Sequence, residues 1–218
     1  ALIKIIQPDI NFFETNIINS NRNFVSFFAI STAIYFIGLY DDKFGIRATK
    51  KLFICAMVFL VSLQINPDFQ VEIIKLSFYD DTIFLHDFSL VFTIICFLLL
   101  INALNMFDGI NLQVGLYSLI VFIFFYLYNI SDLFSVIMIL ALLLFLLLNY
   151  FSKCFLGDSG SYLLAFLISA IIIHYYNMQP YIESDAKYLY ADNILILLMI
   201  PGLDMFRLFV YRVVNGKN

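Results

Sequence analysis

Seven apolar stretches punctuate this chain at membrane-spanning length, at about 24–40, 49–66, 88–105, 113–130, 133–151, 161–176 and 193–211. Crossing the hydrocarbon core of a bilayer takes about 20 residues of helix, with a range near 17–25. Backbone N–H and C=O groups find no water there, so open strands are excluded and each span reads as a helix. The composition agrees: 63% of the 218 residues are hydrophobic and 13% charged, against about 45–50% and 25% in a soluble domain. Too few polar groups remain to cover a water-facing surface. The expected fold is all-α, a polytopic transmembrane helix bundle with about seven spans. The seventh is interrupted by Pro201-Gly202 and Asp204, and residues 1–23 turn polar from Asn11 onward and are not expected to span.

Seven crossings place the connecting loops alternately on two sides. One side collects Lys43, Arg47, Lys50, Lys51, Lys153, Arg207, Arg212 and Lys217, and the other Lys4, Arg22, Lys75 and Lys187. Short loops rich in Lys and Arg stay in the cytoplasm, so the first side is expected to be cytoplasmic. No basic patch of the nucleic-acid-binding kind appears. Cys55, Cys96 and Cys154 are scattered through apolar surroundings with no CxxC spacing, which argues against a disulfide framework or a zinc site.

The acids show a second contrast. Most lie in polar loops of the outer side, where residues 67–87 are long enough for a hairpin. Asp41, Asp42, Asp108, Asp158 and Asp204 instead sit against apolar helices on the cytoplasmic side. A carboxylate at a helix centre costs about 2.5–3.5 kcal/mol on insertion scales, so such residues persist mainly where they pair, bind metal or line a polar cavity.

Three segments carry them. In Gly38-Leu39-Tyr40-Asp41-Asp42-Lys43 two adjacent carboxylates repel, which a bound cation or a raised pKa relieves; a solvated helix end is the plainer reading. In Asn102-Ala103-Leu104-Asn105-Met106-Phe107-Asp108-Gly109-Ile110-Asn111, polar residues recur every third position. At about 100° per residue they share one helical face, as a polar pocket would need. The competing reading has Asp108 capping a helix end. In Lys153-Cys154-Phe155-Leu156-Gly157-Asp158-Ser159-Gly160-Ser161, Gly157 and Gly160 permit close backbone approach. The helix that follows could be capped by Asp158 or Ser159, or could offer its N-terminal N–H groups to a phosphate. Carboxylate and amide oxygens suit Mg²⁺ rather than zinc, and His86 and His174 fall on the outer side.

Taken in order, these three segments resemble the polyprenyl-phosphate N-acetylhexosamine-1-phosphate transferases, the bacterial glycosyltransferase family 4 enzymes that start lipid-linked glycan assembly. The likeness runs from about 34 to 218, and Pro201-Gly202-Leu203-Asp204 with Arg212 looks like the stretch ahead of the family's last cytoplasmic loop. The resemblance implies that residues 1–218 form one transmembrane catalytic domain, truncated at both ends because the chain opens on Ala1 and stops before the family's His-rich motif. It implies Mg²⁺ as cofactor and, as partners, a UDP-N-acetylhexosamine, polyprenyl phosphate and the lipid bilayer. It leaves room for a homodimer. The implied place is the bacterial inner membrane, multi-pass, with the site on the cytoplasmic face.

The implied reaction is attack of a polyprenyl phosphate oxygen on the β-phosphate of the UDP-sugar, with loss of UMP. Asp158 matches the family's metal-binding Asp, and Asp41 and Asp42 the paired acids that position or deprotonate the lipid phosphate. Asn105 and Asp108 match residues of the nucleotide pocket, and Phe155 an aromatic that can stack on uracil. Lys51 would face phosphate, and Asn102 would orient the loop. Where the family reads Asp-Gly-x-Asp-Gly, this chain has Asn111 in place of the second acid, which implies a change in nucleotide contact or sugar range. The surroundings of Asp41 and Asp108 lean toward N-acetylglucosamine-1-phosphate rather than the peptidoglycan sugar. A transporter using intramembrane acids is the alternative; it calls for acids near the bilayer midplane and for repeat-related broken helices. An aspartate-rich prenyltransferase fits less well, because neither Asp41-Asp42 nor Asp108 extends as DDxxD.

Overall fold

The computed structural model describes residues 21–179 and 188–216, with side chains from Val25. Residues 1–20, 180–187 and 217–218 therefore lie outside the described part, and with them the expectation for residues 1–23 up to Ser20 and the cations Lys4, Lys187 and Lys217. Seven helices follow: α1 (Asn21–Phe44), α2 (Ala48–Ile65), α3 (Ser89–Phe107), α4 (Gln113–Leu127), α5 (Asp132–Tyr150), α6 (Gly157–Met178) and α7 (Ala191–Val214). Each contains one of the seven apolar stretches, within a few residues at its ends. Five of them, α2, α3, α5, α6 and α7, are long and apolar enough to cross a membrane, while α4 is apolar and shorter at 15 residues. The chain is an all-α, multi-pass membrane protein.

The expected hairpin is present between α2 and α3. Strand β1 (Ile73–Leu76) pairs antiparallel with β2 (Tyr79–Phe84), with Leu76 opposite Tyr79 and Ile73 opposite Phe84. It is tied to the ends of two helices: the Lys75 N–H donates to Tyr176 Oη at 2.7 Å, and Ser77 donates through N–H and hydroxyl to the Asp192 carboxylate at 2.8 and 2.6 Å.

Helix α6 is the axis of the bundle. Its span is 83% buried, whereas those of α2 and α5 are 22% buried and that of α7 is 6%. It packs along α1 and α3, with further contact to α4. A stack of Phe27, Phe59, Phe97 and Phe166 joins α1, α2, α3 and α6 at ring separations of 4.4–6.2 Å. The outer helices keep their apolar faces, as on α5 at Leu140, Leu144 and Leu147, for lipid, which is as apolar as they are.

Helix α7 runs unbroken through Pro201, where the sequence suggested an interruption. A proline inside a helix cannot bond the carbonyl four residues back. That carbonyl, on Leu197, instead accepts from the Tyr117 hydroxyl of α4 at 3.1 Å. Backbone freed by proline is tolerated in a membrane where a neighbour satisfies it in this way.

Candidate active site

Odd and even helices run in opposite directions, so the turn after α1, the loop after α3 and the loop before α6 share one end of the bundle, opposite the hairpin. The three acid-bearing segments meet there. What brings them together is a close helix crossing. A Cβ on Gly38 would stand 2.7 Å from both Asp158 O and Ser159 N, so only glycine lets α1 press this tightly onto the start of α6.

Asp41 and Asp42, neighbours in sequence, serve different partners. Asp41 is buried at 5% exposure. Its carboxylate accepts from the Ile46 N–H at 2.7 Å and the Tyr162 hydroxyl at 3.0 Å, and Lys51 Nζ lies 2.5 Å away. Asp42 reaches across to α6 and accepts from the N–H groups of Asp158 and Ser159 at 2.7 and 3.1 Å. It therefore caps a helix that is not its own, adding a negative charge at the positive end of the dipole. Neither Asp158 nor Ser159 does the capping the sequence suggested, and two of the N–H groups considered for a phosphate are already taken.

Asp158 sits beside this cap. Lys51 Nζ is 3.5 Å from its Oδ2, so one ammonium serves carboxylates of α1 and α6 and also lies over the Tyr162 ring, 5.2 Å from its centre. Asn105 of α3 donates to Asp158 Oδ1 and reaches Ser161 Oγ at 3.5 Å. Asn102 lies on the same stripe. It donates to Leu98 O of its own helix at 2.9 Å.

Asp108 follows the last residue of α3 and so meets the negative end of that helix. It finds no backbone donors to cap there, which removes the capping reading. Burial, then the negative charges of Asp158 and Asp42, push its carboxyl from 3.8 up to about 6. With Gly109, Asn111, Phe155 and Gly157 it lines a cavity of about 240 Å³ beside the acid cluster. Asn111 is exposed there, and Phe155 is 67% exposed, its ring free to meet a flat ligand.

Three contributors were not singled out in the sequence. Tyr162 and Ser161 lie four and three residues after Asp158, which is the spacing of a shared helix face. Asn149 is the third. Nearly buried in the leucine-rich α5, it accepts from the Leu112 N–H and donates to Cys154 O, both at 2.7 Å, tying together the two loops that wall the cavity. A lone amide in an apolar span was the available signal. Asp204 joins neither group; it pairs with Arg207 on its own helix at 2.7 Å. All three cysteines are free.

A helical membrane protein with four carboxylates gathered at a single end of the bundle, two of them paired to Lys51, is the class that fold and site define. The chain belongs to Glycosyl transferase family 4, which its residues 24–176 match. It is 29% identical over 164 residues to a phospho-N-acetylmuramoyl-pentapeptide-transferase of Dictyoglomus thermophilum, an alignment covering 67% of this chain and 51% of that relative. The chain thus spans about half the length of the curated relative it matches. No solved structure matches it at a significant level.

Proposed function

We propose that the protein transfers a sugar-1-phosphate from a UDP-sugar to polyprenyl phosphate, releasing UMP, at the end of the bundle that carries the acids. The observation that carries this reading is the convergence of Asp41, Asp42, Asn105 and Asp158 from three helices onto Lys51 and onto one another. Family membership supports the reaction class.

Phosphoryl transfer asks for alignment and charge neutralisation more than for covalent machinery. Lys51, beside Asp41 and Asp158, would meet a phosphate at this site. Asp41, held by Lys51, Tyr162 and the Ile46 N–H, fixes that ammonium in place. The cavity walled by Asp108, Asn111 and Phe155 suits a nucleotide, with the Phe155 ring against the base.

The donor set also fits Mg²⁺. Lys51 pairs with Asp41 and Asp158, while burial, then the charges of Asp158 and Asp42, hold the Asp108 carboxyl up at about 6, so a cation beside it would be favourable. Among the described residues no three His, Cys, Asp or Glu side chains are grouped so as to hold a metal by themselves. Mg²⁺ commonly binds through one or two carboxylates plus substrate phosphates. Asp158 and Asp108 are the residues that would hold it, and bound there it would neutralise charge on the transferring phosphates.

The distribution of charge supports a cytoplasmic site in a bacterial inner membrane. Among the described residues Lys43, Arg47, Lys50, Lys51, Lys153, Arg207 and Arg212 belong to the acid-cluster side and Arg22 and Lys75 to the hairpin side. For the sugar, the sequence lean is N-acetylglucosamine, while the relative is named for the N-acetylmuramoyl-pentapeptide. Offering full-length protein each UDP-linked substrate with polyprenyl phosphate and weighing the lipid product decides between them. A diphospho-N-acetylglucosamine lipid supports the reading. Product from the pentapeptide substrate alone replaces the sugar, and product from neither removes the function.

A further inference from the structure

A second group of residues at the acid-cluster end faces away from the site. Lys43 lies in the last turn of α1, Arg47 in the three-residue turn, and Lys50 in the first turn of α2; all three are exposed. Among the described residues none of them forms an ion pair. Lys50 and Lys51 are adjacent, and at about 100° per residue their side chains diverge. Lys51 turns inward to Asp41, and Lys50 turns outward.

Below Lys50 the surface changes character. Thr49, Lys50, Phe53 and Ile54 line a shallow groove on the outer face of α2, with Phe53 67% and Ile54 39% exposed. The pair Thr49–Lys50 lies at the start of a membrane-spanning helix, and Phe53–Ile54 lies one turn deeper. Phe44, 61% exposed, adds an apolar side chain beside the cations, with Lys43 Nζ 5.4 Å from its ring centre. Three unpaired cations and a hydroxyl at interface depth above an apolar groove match one kind of molecule in both charge and polarity.

We propose that this face of the α1–α2 corner binds an anionic phospholipid, its headgroup phosphate among Lys43, Arg47, Lys50 and the Thr49 hydroxyl and its acyl chain along Phe53 and Ile54. Clustered basic residues next to a membrane span attract anionic headgroups, and long basic side chains reach the interface while their stems cover apolar surface. The inference requires only that α2 lie in a bilayer, so it stands or falls separately from the transferase reading.

The chain contains no Trp, so Phe53→Trp introduces a reporter within the groove at a side chain already exposed. The full-length Phe53→Trp protein is placed in phosphatidylcholine vesicles carrying equal small fractions of either brominated phosphatidylglycerol or brominated phosphatidylcholine. Quenching should show a relative affinity for phosphatidylglycerol of about fivefold or more, the factor that one cation near an anionic surface supplies. Adding Lys43→Gln, Arg47→Gln and Lys50→Gln should abolish the preference. Leu144→Trp, on the lipid-facing side of α5 at 62% exposure, should show none. Equal quenching by the two lipids at position 53 overturns the proposal. So does a preference that survives the triple substitution, or one equally strong at position 144. Inorganic phosphate that removes the preference would make a free anion the occupant and likewise overturn it.

Discussion

Lys51 is shared by two helices, and its nearer partner, Asp41, is almost wholly out of solvent, with a side chain 4% exposed. Removing one member of a buried ion pair strands the other's charge, at a cost of about 3–5 kcal/mol. Lys51→Met is expected to lose about that much stability, read by melting in detergent. Adding Asp41→Leu should restore a large part of it without restoring activity. Asp108 behaves in the opposite sense. Its carboxyl is raised from 3.8 to about 6, so the folded state favours the protonated form. Over that interval the folded chain keeps a proton that the unfolded chain has released. Stability from this group is full below 3.8 and is lost as pH rises through about 6. Asp108→Asn should therefore melt higher than the native protein at pH 7, lose that advantage at pH values below 3.8, and lose turnover. A native protein that melts higher than Asp108→Asn at pH 7 would contradict the burial of the Asp108 carboxyl beside Asp158 and Asp42.

At the scale of elements, the site depends on how two loops and one crossing are held. Asn149 satisfies the N–H of Leu112, a non-glycine residue with φ of +72°, and the carbonyl of Cys154. A left-handed leucine costs of order 1–3 kcal/mol and persists only when its surroundings hold it. Asn149→Ala leaves two polar groups without this partner, at about 1–3 kcal/mol each where they stay dry. It is expected to lower the melting temperature and to raise KM for the UDP-sugar more than it lowers kcat, because the cavity walls move while Lys51 and Asp158 stay. The helices themselves were legible in the sequence, since apolar length alone marks a span, and so was the hairpin. The sharing of partners was not. That Asp42 caps α6 while Asp41 pairs with Lys51 depends on the close approach at Gly38, and a lone glycine does not announce which backbone will approach it. Asn102, Asn105 and Asp108 share a stripe as expected. Which of them reaches α6 was decided by depth along α3, which spacing does not encode.

For the whole molecule, the proposed function depends on sidedness and on the shared centre. The basic residues of the acid-cluster end should face the cytoplasm. In sealed cells a membrane-impermeant maleimide should label Lys75→Cys and leave Lys43→Cys unlabelled; the reverse pattern would turn the protein over and remove access to cytosolic nucleotide. The proposed reaction requires a single phosphate-handling centre built from α1, α3 and α6 at that end. It is tested most directly by measuring UMP release from full-length protein given a UDP-N-acetylhexosamine and polyprenyl phosphate, with Mg²⁺ or with a chelator, for the native chain and for Asp158→Asn. Release that needs the metal and falls by at least about a hundredfold in the variant, the scale on which a transition-state electrostatic contact acts, is the expected result. Full UMP release by Asp158→Asn, or undiminished release by the native protein in chelator, would contradict it.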